Sequence, residues 1–127
     1  MPIRVFIVDD RPEMRLLFKL NLEQSTDDIV VCGEADTAEA ALEQLESAHA
    51  DLVITDVSLP RMSGIELVER IRRQYPALQI LVASVHRTDH FEESARKAGA
   101  HEVISKSELD KVPEMVKNMM ARSRPVA

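Results

Sequence analysis

The 127-residue chain lacks features on which several classes of protein depend. It has one cysteine, Cys32, which cannot form a disulfide within the chain. The apolar run around Cys32 is typical of a small core residue in a reducing compartment. No glycine-rich phosphate loop follows the first apolar run, which argues against dinucleotide or P-loop nucleotide binding. His49, His90 and His101 show no metal-ligand spacing with one another or with Cys32, so we expect them at the surface.

Long apolar segments are also absent. No uninterrupted run is long enough to cross a bilayer, and no charged-then-apolar leader opens the chain. The formal net charge of -6 argues against general binding to nucleic acid or to an anionic membrane. We therefore expect a cytoplasmic protein with no direct nucleic acid binding and no membrane attachment.

What the chain does have is a regular alternation of apolar strands and helical segments. β-Branched apolar runs predict strands over 3–8, 28–34, 52–55, 79–83 and 102–105. Apolar residues at helical spacing predict helices over 11–24, from 38 onward after an Asp36-Thr37 cap, over 65–75, near 88–98 and over 108–121. This alternation predicts one α/β domain over 1–121, a doubly wound five-stranded parallel sheet with helices on both faces. Residues 122–127 are a polar tail or a truncated linker.

Polar side chains stand where the predicted strands end. Asp9 and Asp10 follow the first strand, Asp56 the third, Ser84 the fourth and Lys106 the fifth. The carboxyl ends of parallel strands meet at one edge of a sheet, where ligands bind. We therefore expect three carboxylates, a hydroxyl and an ammonium to share one small cleft.

These groups suit phosphoryl transfer. Three neighbouring carboxylates repel one another, and a divalent cation relieves the repulsion; oxygen ligands favour Mg2+. Asp56 is then the nucleophile, and Lys106 supplies positive charge for a phosphoryl group. Singly, each residue has a simpler explanation: Asp56 as a loop acid, Asp10 as a helix cap, Ser84 as a small strand-end residue and Lys106 as a solvated lysine.

The five residues, in this order and at strand ends, resemble the receiver domains of two-component response regulators. The resemblance covers essentially 2–121, and Leu59-Pro60 and Gly64 downstream of Asp56 belong to it. The local sequences Val-Asp-Asp-Arg-Pro, Val-Cys-Gly-Glu-Ala and Lys-Ala-Gly-Ala are most similar to receivers of the NarL/FixJ type. The resemblance implies a flavodoxin-like fold with strand order 2-1-3-4-5.

The resemblance also implies a set of roles. A histidine kinase or phosphotransfer protein would phosphorylate Asp56, and Ser84 and Lys106 would contact the phosphoryl oxygens. Mg2+ would be held by Asp10, Asp56 and the backbone carbonyl of Ser58, with Asp9 acting through a bound water. The domain would catalyse only its own phosphorylation and dephosphorylation. Its partners would be a downstream effector protein or domain and a second copy bound through the 88–121 face.

The chain departs from the family pattern at the positions that relay the signal. Val103 stands where an aromatic residue is usual, Val85 where alanine is usual, and Ser107 where proline is usual. Ser58 and His86 flank the cleft and could tune the access of water to the phosphoryl group. We therefore expect either that the helix near 88–98 and the face around Val103 signal through a different rearrangement, or that phosphorylation switches the domain weakly. A phosphorylation-independent interaction scaffold of receiver fold is the second hypothesis.

A free-standing phosphatase with an aspartyl-phosphate intermediate is the third hypothesis. It ranks last because Ser58 stands where such an enzyme has a second acid, two residues after Asp56. No substrate cap is evident either.

Overall fold

The computed structural model describes residues 2–85 and 89–123. Five strands form one parallel sheet in the order β2-β1-β3-β4-β5. The strands are β1 (Ile3–Val8), β2 (Ile29–Ala35), β3 (Leu52–Asp56), β4 (Gln79–Ser84) and β5 (Glu102–Ser105). The helices are α1 (Pro12–Ser25), α2 (Ala38–Ala48), α3 (Gly64–Gln74), α4 (Asp89–Ala98) and α5 (Val112–Ser123). The predicted fold class and strand order are confirmed.

The sheet is covered on both faces because its strands are apolar at nearly every position. Successive side chains of a strand point to opposite faces. Phe6 and Val8 of β1 belong to the core cluster shared with α2, α3 and α4. Val5 and Ile7 belong to the cluster shared with α1 and α5. All of β3, including Asp56, is consequently buried.

The starts of α1 and α2 and the end of α4 fall where the sequence predicts them. Thr37 caps α2 by accepting the Ala40 N–H at 3.1 Å. Pro12 lies at the first position of α1, where its missing N–H costs nothing. Gly99, with φ +124°, ends α4 as predicted. In the part of the chain that the structure describes, no helix is both long and apolar enough to cross a bilayer.

The last helix begins later than predicted. A 3₁₀ segment, Lys106–Lys111, follows β5, and α5 starts only at Val112. Pro113 lies in the first turn of α5, where proline is favoured because that N–H has no partner in the helix. The side-chain amide of Asn21 on α1 donates to the Leu109 carbonyl at 2.9 Å and anchors the 3₁₀ segment.

His101 is partly buried, so its prediction as a surface residue is confirmed only in part. The Nδ1 atom of its imidazole accepts the backbone N–H of Ile80 at 3.1 Å. The backbone N–H of His101 donates to the Ile80 carbonyl at 2.9 Å. Burial first, and then the Arg72 guanidinium, lower the pKa of His101, while Glu102 opposes them. His49 and His90 are exposed, as predicted.

Cys32 occupies an irregularity in β2, where the register with β1 shifts by one residue. Its Sγ lies 3.5 Å from the Val5 carbonyl, and it packs against the core while staying partly exposed. Desolvation raises the pKa of this thiol, with Arg4 acting in the opposite direction. The predicted apolar packing is confirmed in part.

Candidate functional site

Asp56 is the last residue of β3 and is only 7% exposed. Strand β3 lies between β1 and β4. Asp56 therefore stands at the edge of the sheet at which all five parallel strands end. A buried carboxylate needs hydrogen bonds or a counter-charge. The Val57 N–H donates to Asp56 Oδ1 at 2.7 Å, and the Ser58 N–H lies 3.4 Å from the same oxygen.

Asp9, Asp10 and Asp56 converge as predicted. Each offers one carboxylate oxygen, and these oxygens lie within 4.8 Å of one another. We call these three residues the acid cluster. Asp9 is 1% exposed, whereas Asp10 is exposed, so the cluster opens to solvent on one side.

Lys106 joins the acid cluster from the end of β5. Its Nζ lies 2.6 Å from Asp9 Oδ2 and 3.0 Å from Asp56 Oδ2, and its side chain is only 6% exposed. One ammonium therefore compensates two buried carboxylates, which is an arrangement with a large cost if the cation is lost. Among the residues that the structure describes, three carboxylates of the cluster face the one ammonium of Lys106, which leaves an excess of negative charge there.

The donor set fits the divalent cation expected from the sequence. Oxygen ligands are those that Mg2+ prefers, and the exposed side at Asp10 leaves room for the waters that Mg2+ retains. The excess negative charge of these residues also favours the binding of a cation. The role of the Ser58 carbonyl stays a prediction.

Gly64 supports the acid cluster from α3. A Cβ at this position would lie 2.1 Å from the Asp56 carbonyl oxygen and 2.6 Å from the Val57 Cα. The Gly64 N–H also donates to the Val57 carbonyl at 2.9 Å. Only glycine permits this approach of α3 to the end of β3. The sequence contained the signal, a glycine at the start of a predicted helix, but not its reason.

Ser84 is the last residue of β4 and is 4% exposed. Asp56 pairs with Ala83, so Ser84 lies one residue beyond Asp56 on the neighbouring strand. The next residue, Val85, is 55% exposed at the rim. His86 lies outside the described residues.

Val103 is 2% exposed and lies opposite Val82 in β4. It belongs to the core cluster that contains Ala95 of α4. A small side chain fixed between a strand and a helix has no second, solvent-exposed position to adopt.

Arg15, paired with Glu34, also borders the acid cluster, and these contacts were not predicted from the sequence. Arg15 Nη1 donates to the Asp9 carbonyl at 2.8 Å, and its Nε donates to Glu34 at 2.9 Å. A contact with a backbone carbonyl has no signature in the residue types, so no sequence signal could have revealed it.

Comparison with known proteins identifies relatives over nearly the whole chain. The family model of the response regulator receiver domain matches residues 5–117. The nitrate/nitrite response regulator protein NarL of Escherichia coli K12 is 33% identical over 99 residues, 78% of this chain and 45% of that protein. Protein-glutamate methylesterase/protein-glutamine glutaminase 3 of Burkholderia thailandensis is 32% identical over 111 residues, 85% of this chain and 30% of that protein. The chain thus spans less than half the length of these two relatives.

Solved structures agree with the fold. A two-component response regulator of the LuxR family from Aurantimonas sp. SI85-9A1 superposes with a TM-score of 0.90 at 28% identity, over 99% of this chain and 90% of that one. A CheY-like response regulator receiver domain protein from Methanospirillum hungatei JF-1 gives 0.85 at 25% identity, over 97% of both chains.

Proposed function

The chain belongs to the response regulator receiver domain family of two-component signalling, and we propose that Asp56 is the aspartate on which it is phosphorylated. Phosphorylation on an aspartate and Mg2+ binding at an acidic pocket are general properties of that family. One observation supports the assignment above all. Asp56 is a buried strand-end carboxylate held 3.0 Å from the Lys106 ammonium and within the acid cluster.

The proposed reaction transfers a phosphoryl group from a phosphohistidine of a kinase or phosphotransfer protein. The N–P bond breaks and a bond forms between phosphorus and an Asp56 carboxylate oxygen. The imidazole leaves with the electron pair of the broken bond and takes up a proton. Lys106 and the Ser84 hydroxyl would stabilise the charge on the phosphoryl oxygens as the group transfers.

We assign the metal ligands to Asp9, acting through a water, Asp10, Asp56 and the Ser58 carbonyl. Mg2+ at this position would offset the mutual repulsion of the carboxylates and the charge of the incoming phosphoryl group. The convergence of the acid cluster supports the assignment.

The test is the intact mass of the protein after incubation with Mg2+ and acetyl phosphate. The wild type is expected to gain the mass of one phosphoryl group, and Asp56→Asn is expected to gain none. Asp51→Asn is the matched control, because Asp51 stands directly before the first residue of β3, at the opposite end of the strand from Asp56. Equal phosphorylation of the wild type and Asp56→Asn would contradict the assignment.

The receiver domain is a signalling domain, and receiver domains act between histidine kinases and effectors. For this chain we propose that catalysis is limited to its own phosphorylation and dephosphorylation. We also propose an effector or a second copy at the 88–121 face, and a domain that ends near 121. Arg96 and Arg122 both bond to Glu102 and tie α4 and α5 to β5 within that face. The cytoplasmic location stays a prediction.

A phosphorylation-independent scaffold is the second candidate, and the burial of Val103 favours it. An aromatic relay is absent at this position, so phosphorylation would have to act on α4 by another movement. The two candidates differ in their response to beryllofluoride, a phosphoryl mimic. Changed amide chemical shifts in α4 and β5 on adding it support the switch, whereas changes confined to the cleft support the scaffold.

A further inference from the structure

Arg15 lies in α1, outside the acid cluster, yet it is bound to it. Its side chain is 16% exposed, although arginine is usually a surface residue. Nη1 donates to the Asp9 carbonyl at 2.8 Å, while Nε donates to Glu34 Oε1 at 2.9 Å. Glu34 belongs to β2 and lies opposite Ile7 of β1. The guanidinium therefore connects the end of β1 to the edge strand of the sheet.

The contact falls on the peptide bond that joins Asp9 to Asp10. The Asp9 N–H donates to the Ala35 carbonyl at 3.1 Å, which fixes the peptide unit before Asp9. Arg15 fixes the unit after Asp9, whose carbonyl shares a rigid plane with the Asp10 N–H. Within the described part of the chain, no hydrogen bond or ion pair to the Asp10 carboxylate is present. The backbone around Asp9 determines where the Asp10 side chain starts, and the Arg11 N–H, which donates to Asp9 Oδ1 at 2.9 Å, holds the same stretch from the other side.

Charge alone does not explain why Arg15 is placed there. A cation beside three carboxylates lowers the attraction of the cluster for a metal cation. Glu34 neutralises Arg15 at 2.9 Å, so the pair contributes little net charge and keeps its geometric effect. The planar guanidinium presents its donors on separate nitrogens in a rigid fork, and here Nη1 bonds to the Asp9 carbonyl while Nε bonds to Glu34.

We propose that Arg15, anchored by Glu34, is a positioning residue that orients the Asp9–Asp10 peptide and thereby sets the affinity of the acid cluster for Mg2+. The inference rests on the metal site of the proposed function. Arg15 touches neither the metal nor the phosphoryl group. It acts through the backbone that carries two of the three acids.

The test is an Mg2+ titration of the chain followed by backbone amide chemical shifts, with thermal unfolding recorded in the absence of Mg2+. Arg15→Met removes both hydrogen bonds and is expected to weaken Mg2+ binding about three- to tenfold. A purely electrostatic role predicts the opposite sign, because loss of a cation strengthens Mg2+ binding. A purely structural role lowers the Tm and leaves the Kd unchanged. Equal or tighter binding by Arg15→Met would overturn the proposal.

Two further variants separate geometry from charge. Glu34→Gln keeps an oxygen that accepts from Arg15 but leaves its charge uncompensated, so Mg2+ binding is expected to weaken by less than in Arg15→Met. A loss as large as that of Arg15→Met would overturn the proposal. Arg70→Met is the matched control, since it removes an exposed ion pair with Glu66 on α3, and its Kd is expected to be unchanged.

Folding of the variants does not decide the outcome. If Arg15→Met does not fold, Arg15→Gln replaces it, because its shorter side chain has a single nitrogen and cannot donate to both the Asp9 carbonyl and Glu34. Weaker Mg2+ binding by Arg15→Gln supports the proposal, and an unchanged or tighter Kd overturns it. A wild type that binds no Mg2+ would contradict the proposed metal site itself, and the inference with it.

Discussion

At the scale of single residues, Lys106 has two tasks that share one geometry. Its ammonium compensates Asp9 and Asp56 at 2.6 and 3.0 Å in the structure. In the proposed reaction it also faces the phosphoryl group. Ion pairs at an exposed surface contribute little to stability, but a buried carboxylate left without its cation is costly. The stability of the domain and its chemistry therefore depend on the same side chain.

Lys106→Met is expected to lower the free energy of unfolding by about 3 kcal/mol at neutral pH, because two buried carboxylates then lack a cation. The measurement is urea unfolding with divalent ions removed by a chelator. Lys97→Met is the control, since Lys97 is 79% exposed and lies 3.8 Å from Glu93. A loss no larger than in the control would show that Lys106 does not compensate the buried acids.

At the scale of the elements, helix ends account for what the sequence predicted well and for what it did not. Thr37 and Gly99 could be identified as caps because their chemistry is local. The start of α5 could not, since it depends on Pro113 together with the bond from Asn21 to Leu109, which is distant in sequence. The partial burial of His101 likewise depends on its bonds to Ile80 of β4, which is distant in the sequence.

His49→Gly is expected to stabilise the domain by about 1 kcal/mol, because His49 ends α2 with φ 53°, a conformation unfavourable for residues with a Cβ. The bond from Arg4 Nε to the His49 carbonyl is made by the backbone and is kept. The measurement is equilibrium urea unfolding. His90→Gly, near the start of α4, is the control and is expected to destabilise by about 0.4 kcal/mol, the difference between the helix propensities of the two residues. Loss of stability in both variants would contradict the role of the left-handed cap.

His101 predicts a pH dependence. Burial lowers the pKa of the folded-state imidazole below its unfolded value of about 6.5, and Nδ1 must stay unprotonated to accept the Ile80 N–H. The unfolded chain then binds more protons than the folded chain, so this contribution to stability is complete above pH of about 6.5 and declines as pH falls through the folded pKa.

The check is the slope of the unfolding free energy between neutral and mildly acidic pH. His101→Gln is expected to have a shallower slope than the wild type, because glutamine still offers an oxygen acceptor and does not titrate. Carboxylates contribute equally to the slope in both proteins. Identical slopes would show that His101 does not contribute to the pH dependence of stability.

At the scale of the whole molecule, the sheet brings together residues that are far apart in the chain. Asp9 and Lys106 are 97 residues apart and pair at 2.6 Å. Their meeting could be predicted from the sequence because both follow strands of a parallel sheet. The strand order could not be read from the alternation of elements, which does not say which strands are neighbours; it came from the resemblance to receiver domains. Contacts with backbone atoms, such as the bond from Arg15 to the Asp9 carbonyl, could not be predicted from the sequence.

The position of the phosphoryl group in the chain shows directly whether Asp56 is the phosphorylated residue. Phosphorylated protein is treated with borohydride, which reduces an aspartyl phosphate to homoserine, and is then digested and sequenced by mass spectrometry. We expect homoserine at position 56 and at no other aspartate. Homoserine at another position, or none after phosphorylation with Mg2+ and acetyl phosphate, would contradict the assignment of Asp56.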